Sequence, residues 1–426
     1  MEINRAAKVT QKKSTFGIKF STVLDNEFNG LPTTPSFLAA KEHNSVWPDR
    51  DLSHPAEEEY IHYGGAGTNI ISGYLYSGGR NGKELFYSHG NLDRLEKIAE
   101  WGDLPGHPDE YNAIITDDGD IVFIRNAWSP DRNPIVFPAD DYNNPVEVKI
   151  EGLTPPRSTT RNQGLAYSSE KGYIISVEYW SGGSDRVWKI TKPFTDPNNW
   201  NVVMTKGLDE ILHFHSAQYD PFSKHWVVTS GDFGDQIKVW ISSDGESWDL
   251  QIMGNQKWRL LNCIFEKNYV YWAPDSGGGT GDGVEAHTLY KCSRKPGSNI
   301  PDFANPIPVV ELPYGQPSYG NVYLKEPHGI LILPNVDGAY IQSNRTLKLL
   351  FYSFEDNKLH TIKEIKRVNP NADYRFGFRT RGIAMYPNPQ ESRVVLGFIG
   401  EYVNSMDIGL NEYMEYRNLV LEVVRR

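Results

Sequence analysis

Two histidines separated by one residue, His213 and His215, and an acid that follows the second by 17 residues, Asp232, carry the sharpest chemistry in this 426-residue chain. Residues two apart on a strand point to the same side, so the two imidazoles can meet at one place. One of them, His215 in first instance, could act as a base positioned by Asp232, or the pair could hold a metal. Glu210, Gln256 and His287 are the candidates for a further ligand. His-x-His alone is a weak metal signal, so metal-free use of His215 is favoured, with a divalent metal at His213 and His215 as the alternative. Similar spacings recur: Glu178 follows Arg161 by 17 residues and Asp275 follows Arg259 by 16. Gln256 and Trp272 each stand three residues before a member of that last pair, and Arg379, Arg381, Tyr319, Asn335, Tyr111, Asn112 and Asn126 occupy comparable places in other units.

These residues need elements that bring them to one side, and the sequence supplies a repeat. Leu212 to Trp248 reads as a four-stranded unit, with turns at Asp220-Pro221, Gly231-Asp232 and Ser242 to Trp248. Weaker copies begin near Thr68, Tyr111, Arg161, Arg259, Tyr319 and Arg381. Outer-strand candidates follow most of these units, as at Leu85 to Tyr87, Val187 to Ile190, Ile237 to Ile241 and Leu347 to Tyr352. A period of about 45 to 60 residues is that of propeller blades. The expected fold is all-β, a single β-propeller of four-stranded blades, with seven blades favoured over six. Residues 1–60 form an arm or closing segment and 61–426 the propeller. Leu92 to Trp101 is the best candidate for a short helix, with an irregular outer strand as the alternative.

In such a unit the start of the first strand and the end of the second lie on one face. That face collects Arg161, Glu178, His213, His215, Asp232, Arg259, Asp275, Tyr319 and Arg381. Taken singly, each has a structural explanation: Arg161–Glu178 and Arg259–Asp275 as ion pairs, Asp232 as a turn residue. Taken together, charged groups crowded at a ring centre are costly unless a ligand uses them. Trp128, Trp180, Trp258 and Trp272 lie near the same rim and could stack on sugar rings or pack between strands. The stretch Ser276 to Gly283 is Gly-rich but opens no helix, which excludes a phosphate-binding loop.

Bulk properties narrow the classes. With 38 Gly, 27 Pro and 12% aromatic residues, the composition suits short strands and tight turns. The net charge of −11 argues against nucleic-acid binding. Cys263 and Cys292 lie in apolar strands and are expected to be free, buried thiols. The first twenty residues are basic and polar, without a secretory apolar stretch, and no run is long enough to enter a bilayer. A cytoplasmic, virion-associated or processed secreted protein fits equally.

The turn Ser242-Ser243-Asp244-Gly245-Glu246-Ser247-Trp248 resembles the Asp-box (BNR) turn of sialidase-like β-propellers. That resemblance implies Asp and Ser side chains bonding local backbone and a Trp packed between strands, away from the active face. It also implies an arginine clamp for a carboxylate, for which Arg161, Arg259 and Arg381 are the counterparts. The Phe-Arg-Ile-Pro type motif of sialidases is absent near the N-terminus, and the His pair is foreign to their catalytic set. The mix looks more like propeller polysaccharide lyases acting on uronic-acid glycans. Some of those use a metal held by His residues and a Gln. β-Elimination needs a neutralised carboxylate, a base and an acid. Arg259 with Arg161 or Arg381 would neutralise, His215 would be the base, and Tyr319 or His213 the acid. The expected function is binding and cleavage of an acidic oligo- or polysaccharide, uronate- or sialate-type, with lyase ahead of glycoside hydrolase. A non-catalytic glycan-binding, adhesion or structural propeller is the second reading, and a protein-interaction scaffold the third.

Overall fold

The computed structural model describes residues 16–20, 61–63, 74–78, 84–87, 96–106, 111–125, 132–158, 164–179, 183–275, 287–312, 318–324, 328–334, 346–366, 378–380, 393–403 and 413–425. Nearly all of the regular structure is β, and helix among the described residues is confined to short 3-10 turns such as Pro197–Asn199, Gly234–Gln236 and Gln256–Trp258. None of these is long and apolar enough to cross a membrane. The strands assemble into four-stranded antiparallel sheets, seven among the described residues.

Six sheets are built from strands consecutive in sequence. The seventh joins Phe378–Thr380, Arg393–Val403 and Tyr413–Arg425 to Phe16–Phe20, which pairs Phe16 with Arg425 and Phe20 with Leu421. The run Asn418 to Val424 lies inside Tyr413–Arg425.

Burial falls from the first to the fourth strand in the sheets where it is described on all four strands. In the fourth sheet Phe214–Asp220 is buried at every position, whereas the fourth strand, Asp249–Met253, has one buried residue, Ile252. First and second strands there are buried on both faces because both faces meet a neighbouring sheet, so the polar residues they carry, such as Ser216 and Gln218, are hydrogen-bonded. The cores accordingly lie between successive sheets. Tyr173, Ile175 and Val187 pack with Phe214, Trp226 and Val228. Val227, Val239 and Ile241 pack with Cys263, Val270 and Trp272. Each such side chain contributes about 1.5–3 kcal/mol on full burial.

Polar ties lock the fourth and fifth sheets together. The Gln218 side chain donates to the Cys263 carbonyl (3.0 Å) and accepts from its N–H (2.5 Å), and Thr229 Oγ1 donates to the Leu260 carbonyl (2.8 Å). Asp220 and Arg294, nearly solvent-free, pair through two bonds of 2.6 and 3.1 Å. Cys263 and Cys292 are free and buried, as their apolar surroundings implied.

Two local expectations change. Glu96–Glu100, within the segment expected to be a short helix, is instead the alternative, an outer strand with an irregular register, paired with Glu84–Tyr87. Helical spacing there is overridden by the sheet, which buries Ala99 and leaves Glu100 exposed. The first unit begins at Ile61–Tyr63, and Tyr74–Gly78 is its second strand, not part of its first.

The turn after Lys238–Ser242 shows how Ser and Asp side chains fold a loop. Asp244 Oδ1 accepts from the N–H groups of Glu246 (2.8 Å) and Ser247 (2.9 Å), and Ser242 Oγ accepts from Gly245 N–H (2.8 Å). Gly245 has φ +73°, where a side chain would strike Tyr173. The backbone bonds from Ser247 and Glu246 lower the Asp244 pKa from its ordinary 3.8 to about 2. A carboxyl held low stabilises the fold above its unfolded pKa and ceases to do so as pH falls through its folded value. Asp244→Ala should therefore cost about 1 kcal/mol at neutral pH. The gap to the parent in urea midpoints should close between about pH 4 and about pH 2. A gap unchanged across that window contradicts this role.

Candidate functional site

Backbone register sets the site. The Gly231 N–H donates to the His213 carbonyl (3.0 Å), fixing the start of the first strand against the end of the second. The ladder is irregular between Phe214 and Ser216, so His215 is an extra residue in the pairing of Phe214–Asp220 with His225–Ser230. Gly231 has φ +89°, and a Cβ there would lie 2.0 Å from the Gln236 carbonyl oxygen. Only glycine permits that close approach, and it turns the chain so that Asp232 meets the histidines.

The result is a compact cluster. His215 Nε2 lies 3.1 Å from His213 Nε2 and 3.2 Å from Asp232 Oδ1, and His213 Nε2 lies 3.4 Å from Asp232 Oδ2. An Arg259 terminal nitrogen reaches Asp232 Oδ1 at 2.8 Å and Asp275 Oδ2 at 3.7 Å. Gln256 Nε2 donates to the Asp232 carbonyl (2.8 Å), and the Asp275 N–H donates to the Arg259 carbonyl (2.8 Å). Both histidines are buried.

The electrostatics follow from that packing. Burial, then the neighbouring His215 and Arg259, push the His213 pKa down to about 3 against the opposing pull of Asp232. Burial alone would raise the Asp232 carboxyl; its bond from His215 and the nearby Arg259 guanidinium outweigh that and hold it well below the usual range. Burial thus favours the neutral imidazole at His213, the form that accepts a proton or ligates a metal.

The donor set also fits a divalent ion. Ligand distances of about 2.0–2.1 Å in a tetrahedron place donor atoms roughly 3.3 Å apart, close to the 3.1, 3.2 and 3.4 Å found here. His213, His215 and Asp232 form the one group of three or more such side chains among the described residues with all donors within 4.8 Å. His213 Nδ1 and His215 Nδ1 have no hydrogen-bond partner among the described residues. A ligating histidine normally hands that proton to an acceptor, so the outer shell is not built from described groups. Glu210 bonds Lys206 (2.7 Å) instead, and neither it nor His287 joins the cluster.

Other expected members are placed differently. Glu178 is solvent-free and held by Arg186 through bonds of 2.6 and 2.7 Å, with Trp188 Nε1 donating at 3.0 Å. Its carboxylate is thus saturated within the sheet, which corrects its assignment to a ligand face opposite Arg161. Trp272 is fully buried, donates to the Lys257 carbonyl (2.7 Å) and stacks on Tyr290, so it packs a core and does not offer a sugar platform. Trp258 bonds the Phe303 carbonyl (3.0 Å), and Tyr111 and Asn112 are buried. Tyr319 and Arg379 lie on the strands Ser318–Leu324 and Phe378–Thr380. Arg161, Arg381, Asn126, Asn335, Trp128, Trp180 and Ser276 to Gly283 lie outside the described residues.

Two contributors escaped the sequence reading. The Tyr179 ring lies 4.0 Å from the His213 ring. Phe233, beside Asp232, is 57% exposed. Tyr179 had a usable signal, since it directly follows the strand-end residue Glu178.

No protein-family model matches the chain, and no curated protein matches it in sequence. Solved structures of β-propeller-type proteins resemble it at low identity. An oligogalacturonate lyase in complex with manganese shares 10% identity over 96% of each chain, with a TM-score of 0.49. Virginiamycin B lyase from Staphylococcus aureus shares 8% identity over 86% of this chain and 96% of its own, also at 0.49. A prolyl endopeptidase shares 12% identity over 89% of this chain but 53% of its own, at 0.49. The chain spans about half the length of that endopeptidase and 56% of a puromycin-hydrolysing peptidase from Mycobacterium tuberculosis. The chain is mostly β, with several four-stranded antiparallel sheets among the described residues, an arrangement consistent with a propeller, and no residue role passes to it from these neighbours.

Proposed function

We propose that the chain is a seven-bladed, sialidase-like propeller, closed by the strand Phe16–Phe20, that binds an acidic glycan at the His213–His215–Asp232–Arg259 cluster and cleaves it. β-Elimination is favoured over hydrolysis. The observation that carries this reading is the convergence of two buried imidazole nitrogens and a carboxylate within 3.1 to 3.4 Å, with a guanidinium on the same carboxylate. In the elimination, His215 takes the proton from the carbon next to the uronate carboxylate. The electron pair forms the ring double bond, and the glycosidic oxygen leaves with a proton from an acid, for which Tyr319 is the candidate. Arg259, with Arg161 or Arg381, offsets the substrate's charge, while Asp232 holds both His215 and Arg259 in place.

A panel of acidic polysaccharides, followed by the ultraviolet band of unsaturated uronate beside reducing ends, tests this. Both signals are expected. Reducing ends alone indicate hydrolysis. Binding with neither signal supports the non-catalytic adhesion or structural reading instead.

The donor spacing favours a second form of the same site. A divalent cation held by His213, His215 and Asp232 would supply positive charge for the substrate carboxylate. Elemental analysis of purified parent protein is then expected to show about one equivalent of metal, lost in His213→Ala. Equal metal in both proteins, or none in the parent after incubation with manganese or zinc, removes this form.

A further inference from the structure

The His213 imidazole lacks the hydrogen bond that usually orients a working histidine. A histidine acting through one ring nitrogen is normally fixed by a bond at the other. His225, in the same sheet, shows such a bond: its Nδ1 lies 2.6 Å from the Ser223 carbonyl oxygen. His213 and His215 turn Nε2 toward each other (3.1 Å) and toward Asp232 (3.4 and 3.2 Å), but neither Nδ1 has a partner among the described residues. The χ2 torsion of a histidine is broad and shallow. Contacts at the Nε2 edge alone therefore leave the ring plane loosely set.

Ring packing supplies the missing constraint. The Tyr179 ring lies 4.0 Å from that of His213 at an interplanar angle of 34°, and the His215 ring lies 5.0 Å from it, also at 34°. The Tyr179 contact is closer than the roughly 4.5–7 Å usual for aromatic pairs. At that tilt the two rings overlap face on face, which opposes rotation of the imidazole out of plane.

The backbone explains why these rings meet. The Phe214 N–H donates to the Glu178 carbonyl (3.3 Å), joining the first strand of the fourth sheet to the end of the second strand of the third. That bond sets the residue after Glu178 beside the residue before Phe214. The Tyr179 N–H donates to the Arg157 carbonyl (3.1 Å), which ties down the segment beyond the strand. Glu178 is anchored in turn, because Arg186 and Trp188 hold its carboxylate through bonds of 2.6, 2.7 and 3.0 Å. The buried ion pair of the third sheet is thus the footing of Tyr179.

We infer that Tyr179 is a positioning residue for the cluster: its ring, packed on His213, sets the plane of an imidazole that no bond at Nδ1 holds, and so keeps His213 Nε2 on His215 and Asp232. The role needs the ring and not the hydroxyl. Its consequence for turnover rests on the glycan reading above, whereas its consequence for the His213 ring does not.

Two measurements on the full chain test this: cleavage kinetics on an oligouronide, and NMR of protein labelled at histidine. Parent and Tyr179→Phe should each show one set of His213 ring signals with a cross-peak to the ring protons of His215. Tyr179→Ala should broaden or split the His213 signals and lose that cross-peak. Its kcat should fall about ten- to hundredfold, the cost of a misplaced group, with KM little changed, and Tyr179→Phe should restore most of the rate. Circular dichroism confirms folding, and Tyr179→Leu, which fills space without a flat face, replaces alanine if alanine is not tolerated. A cross-peak kept in Tyr179→Ala, or lost in Tyr179→Phe as well, overturns the positioning role whatever the rates. If the parent cleaves and Tyr179→Ala cleaves equally fast, the role is wrong and the glycan reading stands. If the parent cleaves nothing, the glycan reading falls and the spectra alone decide the role of Tyr179.

Discussion

Asp220→Ala should lower the urea midpoint by an amount equivalent to about 3–5 kcal/mol, because it strands a buried charge. Arg294 is 5% exposed at its side chain and Asp220 is solvent-free. The guanidinium also donates to the carbonyls of Glu266 (2.8 and 2.9 Å) and Asn299 (2.8 Å), so it cannot swing out to water without breaking those bonds. Asp220 further accepts from Phe222 N–H (3.1 Å) and Ser223 Oγ (2.7 Å), shaping the hairpin turn that follows its strand. Asp220→Asn keeps the turn acceptor and should fall between alanine and the parent. Pairing Asp220→Leu with Arg294→Met should recover only part of the loss, since the Glu266 and Asn299 carbonyls then lose their donor. A loss under 1 kcal/mol for Asp220→Ala would show that water reaches Arg294 and that this tie between the fourth and fifth sheets is dispensable.

The second large effect is at Asp232. Its carboxylate touches His213, His215 and Arg259 together. Asp232→Ala should reduce glycan cleavage about 10²- to 10³-fold, the range for losing a positioned acid–base or charge-stabilising group. Stability should change less than for Asp220→Ala, because the cluster lies at a strand end and not between two cores. Cleavage within threefold of the parent would place the chemistry elsewhere on the molecule.

What could be read from sequence followed from what is local. The fourth unit carries its strands, its turns and the His213–His215–Asp232 set within forty residues, and each turn is marked by Gly, Asp or Pro. Arg259, Asp275 and Gln256 follow in the next unit with little inserted chain, so spacing sufficed to bring them near. The third unit defeated spacing because residues 159–163 separate Ser158, which bridges Glu178, from the strand Leu165–Ser168. Counting back from Glu178 therefore led to Arg161, when the hydrogen-bonded position is Arg157. Glu178 was misjudged for a related reason: its partner Arg186 sits on the third strand, across Val177↔Val187. Trp272 illustrates another limit. Both faces of an inner strand are buried, so alternation does not distinguish a core tryptophan from a rim one. The short strand Glu96–Glu100 is held by its neighbour and not by its own propensity, which is why helical spacing misled there.

The central question is whether the His213–His215–Asp232–Arg259 cluster acts on an acidic glycan. An absorbance time course of unsaturated uronate, with parent protein and Asp232→Ala on the same oligouronide, measures this most directly. The account predicts a steady rise for the parent and a rate at least a hundredfold lower for the variant. No rise with the parent, or equal rises with both proteins, contradicts it.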